Sequence, residues 1–338
     1  MTSEGTIEQS LQVLVTDYAW LDLEVERDIL NNSGVELLEA TTGSEQELLE
    51  LVAPVDGILT CWKAVTAPIV ARAQNCKCIG RYGIGLDNID VEEATKEGIL
   101  VTNVPSFCIE EVSDHAMALM LSCARKITTY DHAIKQGIYD LSLGIPITRL
   151  RGKTMGILGW GKIGRSLGQR ARAFGLRVIA CDPQIHPEQM DQERAELVSF
   201  EELLKQSDFI SIHTPLTPDT QRLFGRKAFQ CMKRTAFIIN TSRGAIVDTV
   251  ALQKALDEKL IAGAALDVLP QEPPAHDSPL LRHERTIITP HAAFYSEESL
   301  MELRVTAANQ MADALTGRKP ENIVNLPVLE QPNLRVLF

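Results

Sequence analysis

A glycine-rich turn carries the residues best suited to chemistry. Gly159, Gly161 and Gly164 follow the apolar run 155–158, and Asp182 ends the next apolar run. Gly159 permits a tight turn into a helix, Gly161 lets the backbone approach a pyrophosphate, and Gly164 lets helix and strand pack closely. The N–H groups and positive end of the helix dipole then face the phosphates. The pattern predicts a dinucleotide site whose turn comprises Gly159, Gly161, Lys162, Ile163 and Gly164.

Asp182 bears on the choice of dinucleotide. Its carboxylate would accept hydrogen bonds from the ribose 2′ and 3′ hydroxyls and would repel a 2′-phosphate. No arginine follows it before Arg194. The sequence therefore predicts NAD rather than NADP as the cofactor.

Composition bounds the class of protein. The chain has 338 residues, enough for two domains at ~100 to 200 residues each. A formal charge of -12 argues against a nucleic-acid-binding surface. The chain has no run of ~18 apolar residues, and its polar start, 1–5, lacks the regions of a signal peptide, so we expect no membrane span and a cytoplasmic protein. The seven cysteines lack metal-binding spacing and are expected to be reduced thiols, with no metal bound.

Short apolar runs alternate with helical patterns through the first hundred residues, which predicts a doubly wound parallel sheet. These runs are 13–15, 35–38, 57–59, 78–80 and 99–101. One long helix is predicted from Ser106 to about residue 136, and the tail 330–338 is expected to be poorly ordered.

A second series of apolar runs opens at Thr154, and each run is followed by a polar cluster. The runs are 155–158, 178–181, 209–212, 236–239, 262–266 and 286–288. Because the carboxyl ends of parallel strands meet at one edge of a sheet, these clusters are predicted to line one cofactor crevice. The crevice residues would be Asp182, His213, Thr214, Pro215, Thr220, Thr241, Ser242, Arg243, Asp267 and His291. His213 fits a buried structural histidine equally well, and Ser199 and Glu202 have capping-box spacing.

Several motifs resemble those of the D-isomer-specific 2-hydroxyacid dehydrogenases, a family that includes phosphoglycerate dehydrogenases, from about residue 13 to 325. The motifs are the stretches 81–90, 103–105, 159–164, 240–244, 267–273 and 289–293. Within the family, the stretch 291–296 is most similar to the C-terminal-binding-protein branch. That branch typically has tryptophan where this chain has Phe294, which leaves the substrate open.

The resemblance implies an α/β fold with two doubly wound parallel-sheet lobes. A Rossmann NAD-binding domain, residues 104–293, would be inserted into a flavodoxin-like substrate domain made of residues 1–103 and 294–338, with the active cleft between them. The family usually dimerises through the cofactor domain. We therefore expect a homodimer, with the long helix from Ser106 as a candidate interface element.

The activity that the resemblance implies is reversible hydride transfer between NADH and a small 2-keto acid. His291 is the candidate acid and base, because an imidazole can donate a proton in one direction and accept it in the other. Glu272 would orient the ring and favour its imidazolium form. Arg243 would pair with the substrate carboxylate and polarise the carbonyl. Without the resemblance, His291 would be interpreted as a loop histidine bonded to the backbone, Glu272 as a solvated acid and Arg243 as a surface arginine.

Other residues are expected to contact substrate or cofactor. By resemblance, backbone N–H groups around Gly83, Ile84 and Gly85 would hold the carboxylate, and Asp267 would contact the nicotinamide end of the cofactor. The predicted substrate-binding residues are Trp62, Lys63, Tyr82, Gly83, Ile84 and Phe294. The remaining histidines match no catalytic position and are interpreted as structural: His115, His132, His186, His276 and His283.

Two alternatives remain open at this level. A cofactor-sensing interaction protein is compatible with the resemblance, because the most similar branch includes transcriptional corepressors. Oxidation of phosphite or formate on the same scaffold would need a differently furnished substrate pocket.

Overall fold

A computed structural model describes residues 10–186 and 195–338. Residues 1–9 and 187–194, which include the polar start of the chain and Arg194, lie outside the described residues. Contacts between Cα atoms divide the chain into unit 1, Met1–Phe107 with Ser296–Phe338, and unit 2, Cys108–Tyr295. The domain limits that the resemblance implies, 103/104 and 293/294, stay a prediction.

Unit 1 is built on a five-stranded parallel sheet with the strand order β2-β1-β3-β4-β5. This is the flavodoxin-like order, in which the chain reverses direction across the sheet between β1 and β3. The strands are β1 Leu11–Val15, β2 Val35–Glu39, β3 Gly57–Thr60, β4 Cys78–Arg81 and β5 Leu100–Thr102. The helices are α1 Glu24–Asn31, α2 Glu45–Leu51, α3 Ala67–Arg72, α4 Val91–Lys96 and α11 Glu297–Leu315.

The C-terminal segment completes unit 1. Helix α11 buries Leu303, Ala307 and Met311 against the sheet, and its Arg304 pairs with the fully buried Glu26 of α1 at 2.8 Å. The expectation of a poorly ordered tail is wrong. The Arg335 guanidinium donates to the backbone carbonyls of residues 73, 74 and 76 and to the carboxylate of residue 97, which ties the tail to the unit.

Unit 2 is built on a seven-stranded parallel sheet with the order β12-β11-β10-β9-β6-β7-β8. Strands run outward in both directions from β6, which is the Rossmann arrangement. The strands are β6 Thr154–Leu158, β7 Arg177–Cys181, β8 Glu196–Leu197, β9 Phe209–Ile212, β10 Phe237–Asn240, β11 Gly263–Leu266 and β12 Thr286–Ile288. The helices are α5 Ile109–Arg125, α6 Ile127–Lys135, α7 Lys162–Ala173, α8 Phe200–Gln206, α9 Arg226–Cys231 and α10 Thr249–Asp257.

The predicted fold class, two doubly wound parallel-sheet lobes with a Rossmann domain, is confirmed. The central strands of unit 2 are buried along their whole length, which explains why they appear as continuous apolar runs in the sequence. The capping box of Ser199 and Glu202 is present at the start of α8. The two-residue β8 was not predicted, because so short a strand leaves no periodic signal.

The single long helix predicted from Ser106 is wrong. Lys126 adopts a left-handed conformation with φ of 57°, and its N–H closes α5 on the carbonyl oxygen of Ser122. A left-handed residue interrupts the helical hydrogen-bond ladder, so α5 and α6 are separate helices. In the described ranges, no helix combines the length and hydropathy needed to cross a lipid bilayer.

Candidate functional site

The glycine turn of unit 2 joins the end of β6 to the start of α7. Gly159 has φ of +93°, and a Cβ there would lie 2.7 Å from backbone atoms of His213 and Thr214. A Cβ on Gly164 would lie 2.2 Å from the carbonyl oxygen of Gly159. Side chains are therefore excluded at both positions. A Cβ on Gly161 would meet nothing within 4 Å, so that part of the turn faces open space where a ligand can approach the backbone.

Asp182 follows β7 and is bonded to the glycine turn. Its Oδ2 accepts a hydrogen bond from the N–H of Trp160 at 2.8 Å, and its Oδ1 accepts one from the N–H of Gln184 at 2.9 Å. A carboxylate offers about four acceptor positions, so capacity remains on both oxygens for ribose hydroxyls. The contact with Trp160 places this acceptor beside the turn, as a dinucleotide site requires.

The residues present fit a bound dinucleotide. The first N–H groups of α7, from Lys162 to Gly164, have no carbonyl partner within the helix, so they can bind phosphate. The buried hydroxyl of Thr241 has no hydrogen-bond partner among the described residues. An unsatisfied buried hydroxyl is costly and is expected to find a partner in a ligand or in water.

The next group of predicted crevice residues, 213–220, follows β9. His213 Nε2 lies 2.8 Å from Ser211 Oγ, and burial lowers the pKa of His213 to about 4, so its ring is neutral at physiological pH. The hydroxyl of Thr220 donates to the carbonyl oxygen of Pro215 at 2.7 Å. That hydroxyl therefore shapes the turn 215–220, and the predicted cofactor contact of Thr220 stays a prediction.

Arg243 follows β10 in a tightly bonded segment. Asn240 Nδ2 donates to the carbonyl oxygen of Arg243 at 2.9 Å, and Ser242 Oγ donates to the carbonyl oxygen of Thr214 at 2.5 Å. A Cβ on Gly244 would lie 2.0 Å from the backbone of Leu269. The arginine is thus anchored at the carboxyl edge of the sheet, next to the loop that leads from β11 to Glu272.

His291 and Glu272 form a close pair. His291 Nδ1 lies 2.6 Å from Glu272 Oε2, and Glu272 Oε1 accepts from the N–H of Leu269 at 2.8 Å. An ionised carboxylate only accepts hydrogen bonds, so Nδ1 of the ring carries the proton in this contact. Nε2 is then the ring nitrogen that can exchange a proton with a substrate. An orienting role for Glu272 requires this contact, and the role itself stays a prediction.

Asp267 supports the segment that carries His291. Its Oδ1 accepts from Thr289 Oγ1 at 2.6 Å and from the N–H of Ala292 at 2.9 Å, and its Oδ2 accepts from the N–H of Ala293 at 2.9 Å. Its backbone carbonyl oxygen accepts from the N–H of His291 at 2.8 Å. The carboxylate is thus already bonded within unit 2, and the predicted contact with nicotinamide stays a prediction.

Two aromatic residues, Phe294 and Tyr295, follow His291 in the sequence. The ring of Phe294 lies edge-on to the His291 ring, with centroids 6.3 Å apart, and Tyr295 is 57% exposed. Phe294 therefore contributes an apolar surface beside the imidazole. This position is compatible with its predicted contact to a substrate tail.

In unit 1, Asp17 organises the loop that follows β3. Its carboxylate accepts hydrogen bonds from the N–H groups of Cys61, Trp62 and Lys63 at 3.0, 2.7 and 3.2 Å. Asn88 Nδ2 donates to the carbonyl oxygen of Lys63 at 2.9 Å. These contacts fix the backbone of the predicted substrate loop and leave the Trp62 side chain 42% exposed.

The glycine loop after β4 rests on a buried arginine. Arg81 is 7% exposed, and its guanidinium donates to Asn88 Oδ1 at 3.0 Å and to the carbonyl oxygen of Tyr82. Gly83 has φ of +146°, and Ile84 is fixed through its carbonyl oxygen by Asn103 Nδ2 at 2.8 Å.

Burial of the Tyr82 side chain disfavours its predicted contact with the substrate. Its side chain is 2% exposed and packs edge-on against Trp20, and its N–H donates to the carbonyl oxygen of Thr60 at 2.8 Å. A substrate contact through this side chain is therefore unfavourable, whereas the neighbouring Gly83 and Ile84 stay predicted contacts.

Sequence reasoning missed several residues that hold these loops. Asp17 follows β1, and the ends of β1 and β3 flank the point where the strand order reverses, a position at which ligands bind in such sheets. Knowledge of that order would have singled out Asp17. His115 lies within hydrogen-bond distance of Thr289, although 174 residues separate the two in the sequence. It also lies 3.5 Å from the carboxylate of Asp267. Nothing in its local sequence signals that proximity.

The Rossmann sheet, its glycine turn and the Asp182 carboxylate beside that turn are typical of a dinucleotide-binding unit. Residues 117–293 match the family described as "D-isomer specific 2-hydroxyacid dehydrogenase, NAD binding domain". The chain belongs to this family, as the sequence motifs indicated, and NAD is its cofactor. Assignment to the C-terminal-binding-protein branch stays a prediction.

Named relatives share this resemblance along most of the chain. The chain is 39% identical over 316 residues to D-3-phosphoglycerate dehydrogenase of Methanocaldococcus jannaschii, with 91% of the chain and 60% of the relative covered. It is 41% identical over 292 residues to glyoxylate reductase of Thermococcus litoralis, covering 83% and 87%. The crystal structure of Aquifex aeolicus D-lactate dehydrogenase, complexed with NAD and lactic acid, superimposes with a TM-score of 0.85 at 26% identity, covering 93% and 99%. The chain thus spans less than two thirds of the phosphoglycerate dehydrogenase it matches.

Proposed function

We propose that this protein catalyses NAD-dependent, reversible interconversion of a small 2-keto acid and the corresponding 2-hydroxy acid. The observation that carries the proposal is the 2.6 Å contact between His291 Nδ1 and Glu272 Oε2 at the carboxyl edge of a dinucleotide-binding sheet. Membership of a 2-hydroxyacid dehydrogenase family supports the same reaction.

The chemistry assigned to the pair follows from its hydrogen bonds. The bound cofactor would supply or accept a hydride. In reduction, the protonated ring of His291 would give its Nε2 proton to the carbonyl oxygen, and the Glu272 carboxylate would stabilise the imidazolium. In oxidation, neutral Nε2 would take the hydroxyl proton. Because Glu272 is itself bonded to the N–H of Leu269, it holds the ring in one orientation for both directions.

Arg243 is proposed to bind the substrate carboxylate. A guanidinium presents two parallel N–H groups that match two carboxylate oxygens, which a lysine cannot do. Arg243→Lys is therefore expected to raise KM for the keto acid strongly. Gly83 and Ile84 of unit 1 remain the proposed backbone donors, together with the substrate contacts of Trp62 and Lys63.

The direct test is loss of NADH absorbance with a panel of keto acids. The panel contains glyoxylate, pyruvate, hydroxypyruvate, phosphohydroxypyruvate and 2-keto acids with longer apolar tails. We expect turnover with at least one member and a fall of on the order of 100- to 10,000-fold in His291→Ala. The matched control is His283→Ala, since His283 lies before the start of β12 and bonds to the N–H of Arg285. Turnover that is unchanged in His291→Ala would remove this residue from the mechanism.

The same assay distinguishes the alternative functions. Phosphite and formate, tested with NAD, would be oxidised if the scaffold serves that chemistry. A cofactor-sensing interaction protein would show no turnover and would retain a stoichiometric partner in a pull-down.

We also propose a homodimer formed through unit 2. Helix α6 and the segment after it expose large apolar side chains: Ile127 56%, Ile134 51%, Ile138 47%, Tyr139 94%, Leu141 79%, Leu143 44% and Ile145 72%. So dense an exposed apolar surface is typical of a protein interface, and a second copy of the chain is the proposed occupant. The proposed interface therefore lies on α6 and the segment after it. The sequence analysis had named the long helix from Ser106 as the candidate interface element. Light scattering should give a dimer mass, and Tyr139→Asp with Leu141→Asp should give a monomer.

A cytoplasmic location is proposed as well. Among the described residues the cysteines form no disulfide, and reduced thiols are the usual state in that compartment. Fractionation of cells that express the protein tests this location.

A further inference from the structure

His115 lies within hydrogen-bond distance of the segment that carries His291. Its Nε2 is 3.0 Å from Thr289 Oγ1 and 3.5 Å from Asp267 Oδ1. The His115 side chain is 25% exposed, whereas that of Asp267 is fully buried. Sequence analysis interpreted His115 as structural, because it matches no catalytic motif. The structure places it one hydrogen bond away from a functional loop.

The direction of these hydrogen bonds can be worked out. Asp267 accepts from Thr289 and from the backbone N–H groups of Ala292 and Ala293, which is the pattern of an ionised carboxylate. The Thr289 hydroxyl has one proton and donates it to Asp267, so it can only accept from His115. His115 therefore carries a proton on Nε2, and the chain of donors runs from His115 through Thr289 to Asp267.

The series of hydrogen bonds from His115 to Asp267 ends at a backbone segment that is strained. His291 has φ of 55°, a left-handed conformation that is uncommon for residues other than glycine. Its N–H is held by the carbonyl oxygen of Asp267, and the next two N–H groups are held by the Asp267 carboxylate. A conformation of this kind persists only where the surroundings fix it. The orientation of Asp267 is in turn fixed by Thr289 and His115.

We propose that His115 is a positioning residue for His291. By donating to Thr289 and facing the Asp267 carboxylate, it holds the 291–293 backbone in the conformation that aims the His291 ring at Glu272. Its catalytic consequence depends on the function proposed above. The structural link to the loop does not.

The test compares His115→Leu, which has no donor, with His115→Gln, whose side-chain N–H can reach Thr289. Amide hydrogen exchange at Ala292 and Ala293 is the primary readout, with His283→Leu, before the start of β12, as the control. We expect exchange on the order of 10-fold faster in His115→Leu and close to the unmodified rate in His115→Gln. In the keto-acid assay, kcat should fall about 10- to 100-fold in His115→Leu. KM for the keto acid should change less than about threefold, because Arg243, the proposed carboxylate ligand, is untouched.

Each outcome decides the proposal. Unchanged exchange at both alanines in a folded His115→Leu protein would overturn it, as would equal loss of protection in both His115 variants, which would indicate packing alone. If His115→Leu does not fold, Thr289→Val and Thr289→Ser provide the same comparison at the hydroxyl. If the unmodified protein reduces no keto acid, the proposed function fails, whereas the exchange measurement still tests the positioning role.

Discussion

Replacing His213 with glutamine removes a largely desolvated, half-buried imidazole whose proton affinity differs between the folded and unfolded chain. Burial lowers the pKa of His213 from its usual 6.5 to about 4. Glutamine keeps a polar group near the position of Nε2, which lies 2.8 Å from Ser211 Oγ. The substitution therefore removes the titration while preserving the hydrogen bond.

The sign and size of the effect follow from the two pKa values. Well above pH 6.5 the ring is neutral in both states, and the group adds no pH dependence. Between pH 6.5 and pH 4 the unfolded chain binds a proton that the folded unit excludes, so stability falls as the pH falls. The free energy of unfolding should drop by about 2 kcal/mol from pH 7 to pH 5, and by about 3 kcal/mol at pH 4.

Urea denaturation of unit 2 at pH 7, 6 and 5 provides the measurement. Trp160 is 1% exposed in unit 2 and reports its unfolding, provided that Trp20 and Trp62 of unit 1 are replaced with phenylalanine. The quantity to compare is the loss of stability with falling pH in the unmodified protein minus the loss in His213→Gln. This difference cancels the titration of groups common to both proteins.

Ser211→Ala is the matched control, because it removes the hydrogen-bond partner and keeps the imidazole. It should lower stability at every pH and leave the dependence on pH in place. Equal pH dependence in the unmodified protein and in His213→Gln would refute the reasoning, and His213 would then not be a buried neutral histidine.

Three further substitutions test the cofactor turn and the core of unit 1. Gly164→Ala places a Cβ 2.2 Å from the carbonyl oxygen of Gly159, so thermal denaturation should show a loss of about 1–3 kcal/mol and fluorescence titration should show weaker NADH binding. Asp182→Ala removes the ribose acceptor and should weaken NADH binding about 10- to 100-fold in the same titration, with a smaller effect on NADPH. Arg304→Met leaves the fully buried Glu26 without its cation, and urea denaturation should show a loss of about 3–5 kcal/mol.

Opposite results would be equally informative. Undiminished NADH affinity in Gly164→Ala would mean that the turn does not approach the cofactor. A preference for NADPH in the unmodified protein would contradict the role given to Asp182. A loss below about 1 kcal/mol in Arg304→Met would show that Glu26 becomes protonated or hydrated at little cost.

Much of the fold could be predicted because parallel strands buried on both faces appear as apolar runs. The runs at 155–158, 209–212 and 286–288 coincide with β6, β9 and β12 within one residue at either end. The break at Lys126 could not be predicted, since lysine carries no preference for a left-handed conformation. The order of the tail depends on Arg335, whose carbonyl partners lie more than 250 residues earlier in the chain.

In the candidate site, too, some residues could be predicted from local sequence and others could not. Local spacing identified the glycine turn and Asp182, and the family motifs identified Arg243, Glu272 and His291. Their supporting contacts come from distant parts of the sequence, as with His115 and Thr289. A motif records which side chains are needed, whereas the residues that hold them in place depend on which elements become neighbours in the folded sheet.

The discontinuity of unit 1 has a consequence for synthesis on the ribosome. Unit 2 is one continuous segment, Cys108–Tyr295, whereas unit 1 lacks α11 until Ser296–Phe338 has emerged. At a synthesis rate of about 5–20 residues per second, α11 is made on the order of 10–40 s after the first segment of unit 1. During that time the apolar face that Met311 later covers is accessible to chaperones. Unit 1 is thus begun before unit 2 and completed after it, and its sheet depends for closure on a helix encoded beyond unit 2.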